Sequence, residues 1–213
     1  MKQTFSHVTT WVFDLDHTLY PPEVALFEQI EKRMEAFICK ALSVDLGTAK
    51  ALRAEYWASH GTTLAGLMDR HDMPPEDFLH DVHDIDFSII PPSPELADAI
   101  CSLPGRKIIY TNGTRPYAQA VTQARGLTGV FDEIYGVEHA GYRPKPEAQA
   151  FAKVFAQDGL DPTRAAMFED DIRNLAVPHA LGLRTVHVAP QQSAAPHVHH
   201  HTDDLASFLS NVI

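Results

Sequence analysis

Two aspartates two positions apart, Asp14 and Asp16, directly follow the apolar stretch 11–13. Such a stretch is typical of the end of a buried strand, so the acids stand where the chain leaves a sheet. Like charges held close together in a buried place raise a carboxyl pKa or require a cation. Because ligands bind at the carboxyl ends of strands in an open parallel sheet, the pair predicts a metal ion, a shared proton, or both. Taken alone, Asp-x-Asp-x-Thr also fits a turn or a helix cap.

A hydroxyl and a flexible turn follow a second apolar stretch, residues 107–110. Thr111, Asn112 and Gly113 come there in succession. Backbone N–H groups beside a small hydroxyl bind phosphate well. The triplet therefore predicts a phosphate cradle, although Thr-Asn-Gly is also a common turn.

Lys145 stands between Pro144 and Pro146. The two prolines restrict the backbone on either side, which favours an ammonium group held as a positioned point charge. The alternative is a surface lysine in a loop that begins a helix.

A third apolar stretch, residues 165–168, is followed by Glu169, Asp170 and Asp171, and then by Asn174. Three successive acids after a buried strand are hard to explain as a solubilising surface. Oxygen-rich clusters suit Mg2+, which takes few carboxylates together with waters and substrate phosphate. The cluster therefore predicts a magnesium site, and one of the acids could also favour a helix N-terminus.

The elements that position these groups fall into two parts. Apolar residues recur every three or four positions in residues 24–42, which predicts a helix with one buried face. Further helices are predicted at 45–60, at 62–69 and after Pro75. We interpret residues 21–91 as a helical cap inserted into a core made of residues 1–20 and 92–213.

The core alternates helices with short strands, which predicts an α/β fold with a doubly wound parallel, Rossmann-like sheet. We expect the last strand at 185–188 and a polar, His-rich surface loop at 191–202. The full set of core predictions is helices at 94–103, 115–125, 146–156, 172–181 and 203–209, and strands at 11–13, 107–110, 133–135, 165–168 and 185–188.

The amino-acid composition and net charge of the chain limit the kinds of molecule that it can bind. The chain has 213 residues, 45% of them hydrophobic, as in an ordinary globular protein. A formal net charge of −11 disfavours nucleic acid polymers and anionic membranes, which are held mainly by Lys and Arg, and leaves a small phosphorylated metabolite as the expected partner. We expect Cys39 and Cys101 to be buried free thiols in a cytoplasmic protein without a signal peptide, either monomer or homodimer.

The four motifs in their order, D-x-D-x-T, T-N-G, Lys-Pro and E-D-D-x-x-N, resemble those of the haloacid dehalogenase-like hydrolase superfamily over nearly the whole chain. The helical insertion between the first two motifs is similar to one cap type of that superfamily. The resemblance implies a Rossmann-like core covered by a mobile lid.

The resemblance also implies roles for individual residues. Asp14 would attack phosphorus to form an aspartyl phosphate, and Asp16 would be the general acid and then the base. Thr111 with Asn112 and Gly113 would hold the phosphoryl oxygens, and Lys145 would offset their charge. Mg2+ would be bound by Asp14, the backbone carbonyl of Asp16, and Asp170. Glu169, Asp171 and Asn174 would hold metal-bound waters or orient Lys145.

A second resemblance lies in the cap. His60, Gly61, Thr62 and Thr63 begin a stretch similar to the Tyr-Gly-Thr-Thr/Ser-Leu-Ala-Gly-Leu signature of the pyrimidine 5'-nucleotidase branch, with His60 in place of tyrosine. These four residues would then contact the substrate. The alternative is that Gly61 to Thr63 only begin a cap helix.

These resemblances favour a Mg2+-dependent phosphomonoesterase for a nucleoside 5'-monophosphate, with UMP or CMP preferred. The alternatives are a generic small-metabolite phosphatase, a phosphoglucomutase-like transferase, and a non-catalytic nucleotide-binding module. Dehalogenation is disfavoured because a halide leaving group needs no acid. We interpret His17 as a local variant, the histidines at 197–201 as a solvated loop, and Trp11 and Trp57 as packing residues.

Overall fold

A computed structural model describes residues 2–212, apart from the side chain of Lys2. Its centre is one parallel sheet of six strands in the order β3-β2-β1-β4-β5-β6. This is the strand order of the classical doubly wound fold, so the predicted fold class is confirmed. The strands are β1 (Thr10–Phe13), β2 (Arg106–Tyr110), β3 (Glu133–Tyr135), β4 (Ala165–Glu169), β5 (Arg184–Val188) and β6 (His200–Thr202).

Helices flank this sheet and fill the long connection between β1 and β2. None of the helices within residues 2–212 is both long and apolar enough to cross a membrane. The helices are α1 (Lys2–Phe5), α2 (Leu26–Leu42), α3 (Leu46–His60), α4 (Thr63–His71), α5 (Pro75–Val82), α6 (Pro94–Cys101), α7 (Arg115–Arg125), α8 (Ala148–Asp158), α9 (Ala176–Leu181) and α10 (Leu205–Ser210).

Strand β1 is buried along its whole length and has apolar residues on both faces. Trp11 and Phe13 belong to one core cluster, while Val12 between them belongs to another. Because successive side chains of a strand point to opposite faces, the two clusters lie on the two sides of the sheet. A run without polar alternation is what a parallel sheet covered on both faces requires.

The register of the sheet brings three strand ends together. Phe13 pairs with Ile109 on one side and with Phe168 on the other. The backbone N–H of Asp14 donates to the carbonyl of Phe168 over 2.9 Å, which extends the pairing to the first acid. The residues that follow β1, β2 and β4 therefore share one edge of the sheet, as their motifs predicted.

Four helices, α2 to α5, occupy the connection predicted to be a cap. Arg53 on α3 donates to Glu31 over 2.5 Å and to Glu35 over 3.2 Å, so ion pairs join α3 to α2. Arg33 on α2 donates to the carbonyl of Asp81 on α5 over 2.9 Å. The division into a core of residues 1–20 and 92–213 and a cap of residues 21–91 stays a prediction.

We had expected the polar segment 191–202 to be a loop, but the end of it is a strand. Residues His200–Thr202 form β6, which pairs with β5 through His187 and His201. The prediction that 185–188 is the last strand was therefore wrong. An edge strand is stabilised by backbone pairing and can be polar, so hydrophobic periodicity gives little sign of it.

Two other local predictions need correction. The helix predicted over 172–181 is divided, because Ile172–Leu175 is a 3-10 turn and only Ala176–Leu181 is α-helical. Both cysteines are free, but Cys101 is exposed and Cys39 only partly buried. Cys101 is the last residue of α6 and is exposed although its neighbour Ile100 is buried.

Candidate active site

A cavity of about 520 Å3 opens between the shared strand edge and the cap helices, within the size range of small-molecule sites. Its lining combines residues from all four motifs with residues from α2, α3 and α5. The residues singled out in the sequence that border the cavity are Asp14, Asp16, Gly61, Thr62, Thr63, Thr111, Asn112, Gly113, Lys145, Glu169, Asp170, Asp171 and Asn174. The sequence motifs, spread over 160 residues of chain, thus converge on one place.

Lys145 lies beneath the cavity between two carboxylates. Its Nζ donates to Asp14 Oδ1 and to Glu169 Oε2, each over 2.6 Å, and to the carbonyl of Tyr110 over 3.0 Å. All three donors of the ammonium are used, and the side chain is 1% exposed. Although burial opposes the charge, the carboxylates of Asp14 and Glu169 raise the pKa of Lys145 above its usual value, so it stays protonated.

Asp14 is buried among charges of both signs. Burial is the main influence and raises the pKa of its carboxyl to about 6; Lys145 opposes the rise, while Asp170 and Asp16 add to it. Its Oδ2 accepts from the Thr18 hydroxyl over 3.1 Å. A carboxylate fixed by two donors and facing a cavity has the orientation that a nucleophile needs.

Asn112 fixes the backbone of Lys145 from the neighbouring strand end. Its side-chain Oδ1 accepts from the Lys145 N–H over 2.8 Å, and its Nδ2 donates to the Lys145 carbonyl over 3.2 Å. The side-chain amide is therefore engaged with the chain itself, and only the backbone of Asn112 remains to contact a ligand. The predicted contact of Asn112 with the phosphoryl oxygens stays a prediction.

Thr111 and Gly113 form the turn at the end of β2. The Gly113 N–H donates to Thr111 Oγ1 over 2.9 Å, which leaves the hydroxyl proton of Thr111 available to a ligand. A Cβ at Gly113 would lie 2.6 Å from Cδ1 of Tyr117, so this position requires glycine.

Carboxylate oxygens of Asp14, Glu169 and Asp170 all lie within 4.8 Å of one another. If ionised, these three acids outnumber the single ammonium of Lys145 by two charges. Asn174 Oδ1 borders the same cavity, is buried, and has no hydrogen-bond partner within residues 2–212. An excess of two negative charges and an unused oxygen fit a hard divalent cation with bound water.

Glu169 and Asp171 are hydrogen-bonded to other groups, so their oxygens are less available to bind a metal ion. Both oxygens of Glu169 are engaged, Oε2 by Lys145 and Oε1 by the N–H of Asp171 over 3.2 Å. Asp171 pairs bidentately with Arg173, and these bonds, against the effect of burial, lower its pKa. Glu169 thus holds the Lys145 ammonium, and Asp170 faces the cavity with neither a lysine nor an arginine paired to it within residues 2–212.

We had expected Trp57 to be a packing residue, and the structure shows that it is not. It lies on cap helix α3, is 52% exposed, and its ring stacks under the Arg173 guanidinium at 4.1 Å. Trp11, by contrast, is 1% exposed, which confirms its predicted place in the core. The Trp57 contact joins the cap to the turn that carries the acid cluster.

Asp16 is held by two tyrosines that the sequence analysis missed. Tyr117 donates to Asp16 Oδ1 over 2.5 Å, and Tyr20 donates to the same oxygen over 2.6 Å. Burial raises the pKa of Asp16, and the two hydroxyl donors oppose the rise. The only sequence signal was the spacing of Tyr20 four residues after Asp16, since Tyr117 is 101 residues away.

His17 adopts a left-handed backbone conformation with φ of 60°. Its Nδ1 lies 3.5 Å from Asp170 Oδ2. The hydrogen bond to Asp170 raises the pKa of His17, and burial partly offsets this. His17 therefore faces the acid cluster, which its interpretation as a local variant did not anticipate.

Only part of the signature predicted at residues 60–63 borders the cavity. Gly61, Thr62 and Thr63 border the cavity, and Thr62 Oγ1 caps α4 by accepting from the Ala65 N–H over 3.1 Å. His60 does not border it, because its ring points to Ser59 and to Asp69 on the next helix. The predicted substrate contact of His60 is therefore not present in this arrangement.

Solved structures share this architecture at low sequence identity. CbbY from Rhodobacter sphaeroides in complex with phosphate superposes with a TM-score of 0.67 at 18% identity, over 94% of this chain and 96% of that one. The HAD-hydrolase YfnB from Bacillus subtilis bound to magnesium gives 0.60 at 15% identity, over 96% and 98%. The L-2-haloacid dehalogenase from Xanthobacter autotrophicus with chloropropionic acid covalently bound gives 0.54 at 18% identity, over 87% and 79%.

These likenesses concern the fold. The sequence profile described as haloacid dehalogenase-like hydrolase matches residues 8–182, which contain all four motifs and the whole cavity lining. The resemblance stated for the motifs is thereby confirmed at the level of the superfamily. The chain belongs to the haloacid dehalogenase-like hydrolases.

Proposed function

We propose that this hydrolase is a Mg2+-dependent phosphomonoesterase that acts on nucleoside 5'-monophosphates, UMP or CMP above others. One observation supports this most strongly. Asp14 lies at the cavity floor, fixed by Lys145 and Thr18, with Asp170 and Asp16 beside it. This arrangement supplies a nucleophile, a permanent cation, a metal-binding acid and a second carboxyl in one small volume.

The chemistry divides one difficult hydrolysis into two displacements. A carboxylate oxygen of Asp14 forms a bond to phosphorus as the ester P–O bond breaks, and Asp16 gives its proton to the leaving oxygen. Water then attacks phosphorus, Asp16 takes the proton of that water, and the acyl phosphate bond breaks to return the Asp14 carboxylate. Lys145 and the Thr111 hydroxyl balance charge on the phosphoryl oxygens.

Mg2+ would be held by Asp14, Asp170 and the backbone carbonyl of Asp16. When bound, the ion neutralises charge on the phosphoryl oxygens. Glu169 holds Lys145, so that the ammonium faces Asp14. The phosphoryl group of the substrate would thus bind where Lys145 and Mg2+ compensate the negative charge of the acids.

The raised pKa of Asp16 favours a phosphatase over a dehalogenase. Burial raises the pKa of this carboxyl beside the nucleophile, which suits an acid that gives a proton to an alkoxide leaving group, and a halide needs no such proton. The cap contributes Gly61, Thr62 and Thr63 to the same cavity, which supports a substrate larger than a simple sugar phosphate. The His60 ring, turned away from the cavity, favours the second candidate, a phosphatase of broader small-metabolite range.

Phosphate release from a panel of nucleoside monophosphates, sugar phosphates and haloacids, with and without Mg2+, tests the proposal. We expect UMP and CMP to be hydrolysed fastest, with no activity after chelation. Asp14→Asn should lower the rate by at least about 10^4-fold, as loss of a nucleophile does. Asp69→Asn, a change at an exposed acid outside the cavity, is the matched control and should keep wild-type rates.

Each part of the proposal fails on a different result. Equal rates on nucleotides and sugar phosphates would reject the nucleotide preference and leave the broader phosphatase. Isomer formation that needs a bisphosphate would indicate a transferase. Halide release without phosphate release would reject phosphatase chemistry, and tight nucleotide binding without turnover would indicate a regulatory module.

A further inference from the structure

The carboxyl of Asp16 has an unequal environment at its two oxygens. Oδ1 accepts from both Tyr117, over 2.5 Å, and Tyr20, over 2.6 Å. Within residues 2–212, no donor lies within hydrogen-bond distance of Oδ2. Two hydroxyls on one oxygen fix the rotation of the carboxyl group about its Cβ–Cγ bond.

The ring of Tyr117 is itself held from several sides. His83, at the end of cap helix α5, stacks on it with ring centroids 4.3 Å apart and 12° between the planes. Burial lowers the pKa of His83 to about 4, so this partner is a neutral ring at pH 7. The missing side chain of Gly113 leaves the space that the other part of the ring fills.

The backbone of Tyr117 is fixed as well. Thr114 caps α7, and its Oγ1 accepts from the Tyr117 N–H over 3.3 Å. The Tyr117 side chain is 2% exposed, and that of Tyr20 is 1% exposed. Burying two phenol groups costs free energy, which their hydrogen bonds to one carboxylate oxygen only partly offset. Two such groups on Oδ1 therefore indicate that the position of this oxygen matters.

We propose that Tyr117 is a positioning residue for Asp16: with Tyr20 it occupies Oδ1 and leaves Oδ2 as the oxygen that transfers the proton. In the first displacement the proton moves from Oδ2 to the leaving oxygen as the ester bond breaks. In the second, Oδ2 takes a proton from the attacking water as the acyl phosphate bond breaks. The inference rests on the proposed phosphatase function and adds to it a residue outside the four motifs.

A leaving-group comparison separates positioning from simple structural support. The leaving p-nitrophenolate needs no proton, whereas an alkoxide does, so misplacing Asp16 affects only the second kind of ester. Single-turnover release of the leaving group is measured on p-nitrophenyl phosphate and on the best alkyl monophosphate of the panel. Tyr117→Phe should slow cleavage of the alkyl ester about 10- to 100-fold and cleavage of the p-nitrophenyl ester by less than about 3-fold. The loss on the alkyl ester is part of the rate that positioned proton transfer contributes.

Tyr56→Phe is the matched control. It removes another tyrosine hydroxyl, bonded over 2.7 Å to His71 Nε2 and outside the cavity lining, and should change neither rate. Tyr20→Phe should act like Tyr117→Phe, and the double variant should lose less than the product of the two single losses, since both serve one oxygen.

Equal slowing of both esters, or no slowing of either, overturns the inference. Crystal structures of wild type and Tyr117→Phe give a readout that does not depend on turnover. The Asp16 carboxyl should rotate in the variant, and an unchanged carboxyl contradicts the inference. If the wild type hydrolyses no phosphate ester, the proposed function fails, and the crystallographic comparison still decides the positioning.

Discussion

A single ammonium group allows two carboxylates to be buried beneath the cavity. Lys145, Asp14 and Glu169 are 1%, 5% and 1% exposed, and Lys145 contacts both acids at 2.6 Å. A buried ion pair adds little stability compared with apolar packing, but removing one partner leaves a charge without compensation. We therefore expect the triad to contribute little stability and, under the proposed function, to serve the chemistry of Asp14.

Lys145→Met should destabilise the protein by about 3 to 5 kcal/mol near pH 8, since both acids are left unpaired. The loss should be smaller near pH 5.5, because protonation then neutralises the acids. Urea unfolding at the two pH values measures it. Lys145→Met combined with Glu169→Gln is the control and should recover part of the stability at pH 8. An equal loss at both pH values would contradict this account.

At the scale of elements, the cap depends on close contact between two of its helices. Gly66 on α4 faces Tyr56 on α3, and a Cβ at Gly66 would lie 2.3 Å from Cγ of that ring. Tyr56 is 4% exposed and cannot move aside without losing its core packing. A glycine in mid-helix, which costs helix stability, is thus retained for interhelical packing.

Gly66→Ala should destabilise the protein by about 1 to 3 kcal/mol, because overpacking exceeds the gain in helix propensity of about 1 kcal/mol. Thermal and urea unfolding measure the change. Tyr56→Leu combined with Gly66→Ala should lose less than the two single changes summed. A stabilised Gly66→Ala variant would show that the two helices lie further apart.

At the scale of the whole molecule, we expect metal binding to be coupled to global stability. Burial raises the Asp14 pKa from its ordinary value of 3.8 to about 6. A carboxyl with a higher pKa when folded holds its proton more tightly when folded, so it lowers stability as pH rises from about 4 to about 6. A bound cation takes the place of that proton, and its stabilising effect should therefore grow over the same pH range.

We expect Mg2+ to raise the melting temperature more at pH 7.5 than at pH 5. At 100 times its dissociation constant the ion should add about 2.7 kcal/mol. Differential scanning fluorimetry over a series of Mg2+ concentrations at both pH values measures this. Asp170→Asn should remove most of the Mg2+ effect, and a shift of the same size at both pH values would contradict the role given to Asp14.

The sequence by itself determined the elements and the edge on which the motifs meet. The ends of β1, β2 and β4 could be predicted to within one residue, because the last residues of a buried parallel strand form an apolar run. The helices of the predicted cap followed from three- and four-residue spacing, to within a few residues at each end. These are local properties, carried by neighbours in the chain.

Only the tertiary structure decided which partners each site residue has. Tyr117 reaches Asp16 across 101 residues, Asn112 braces Lys145 across 33, and the His60 ring points away from the cavity. Polar strand β6 exists only because β5 offers it backbone partners. Such contacts depend on where distant segments pack and on how side chains turn, and the spacing of residues in a sequence records neither.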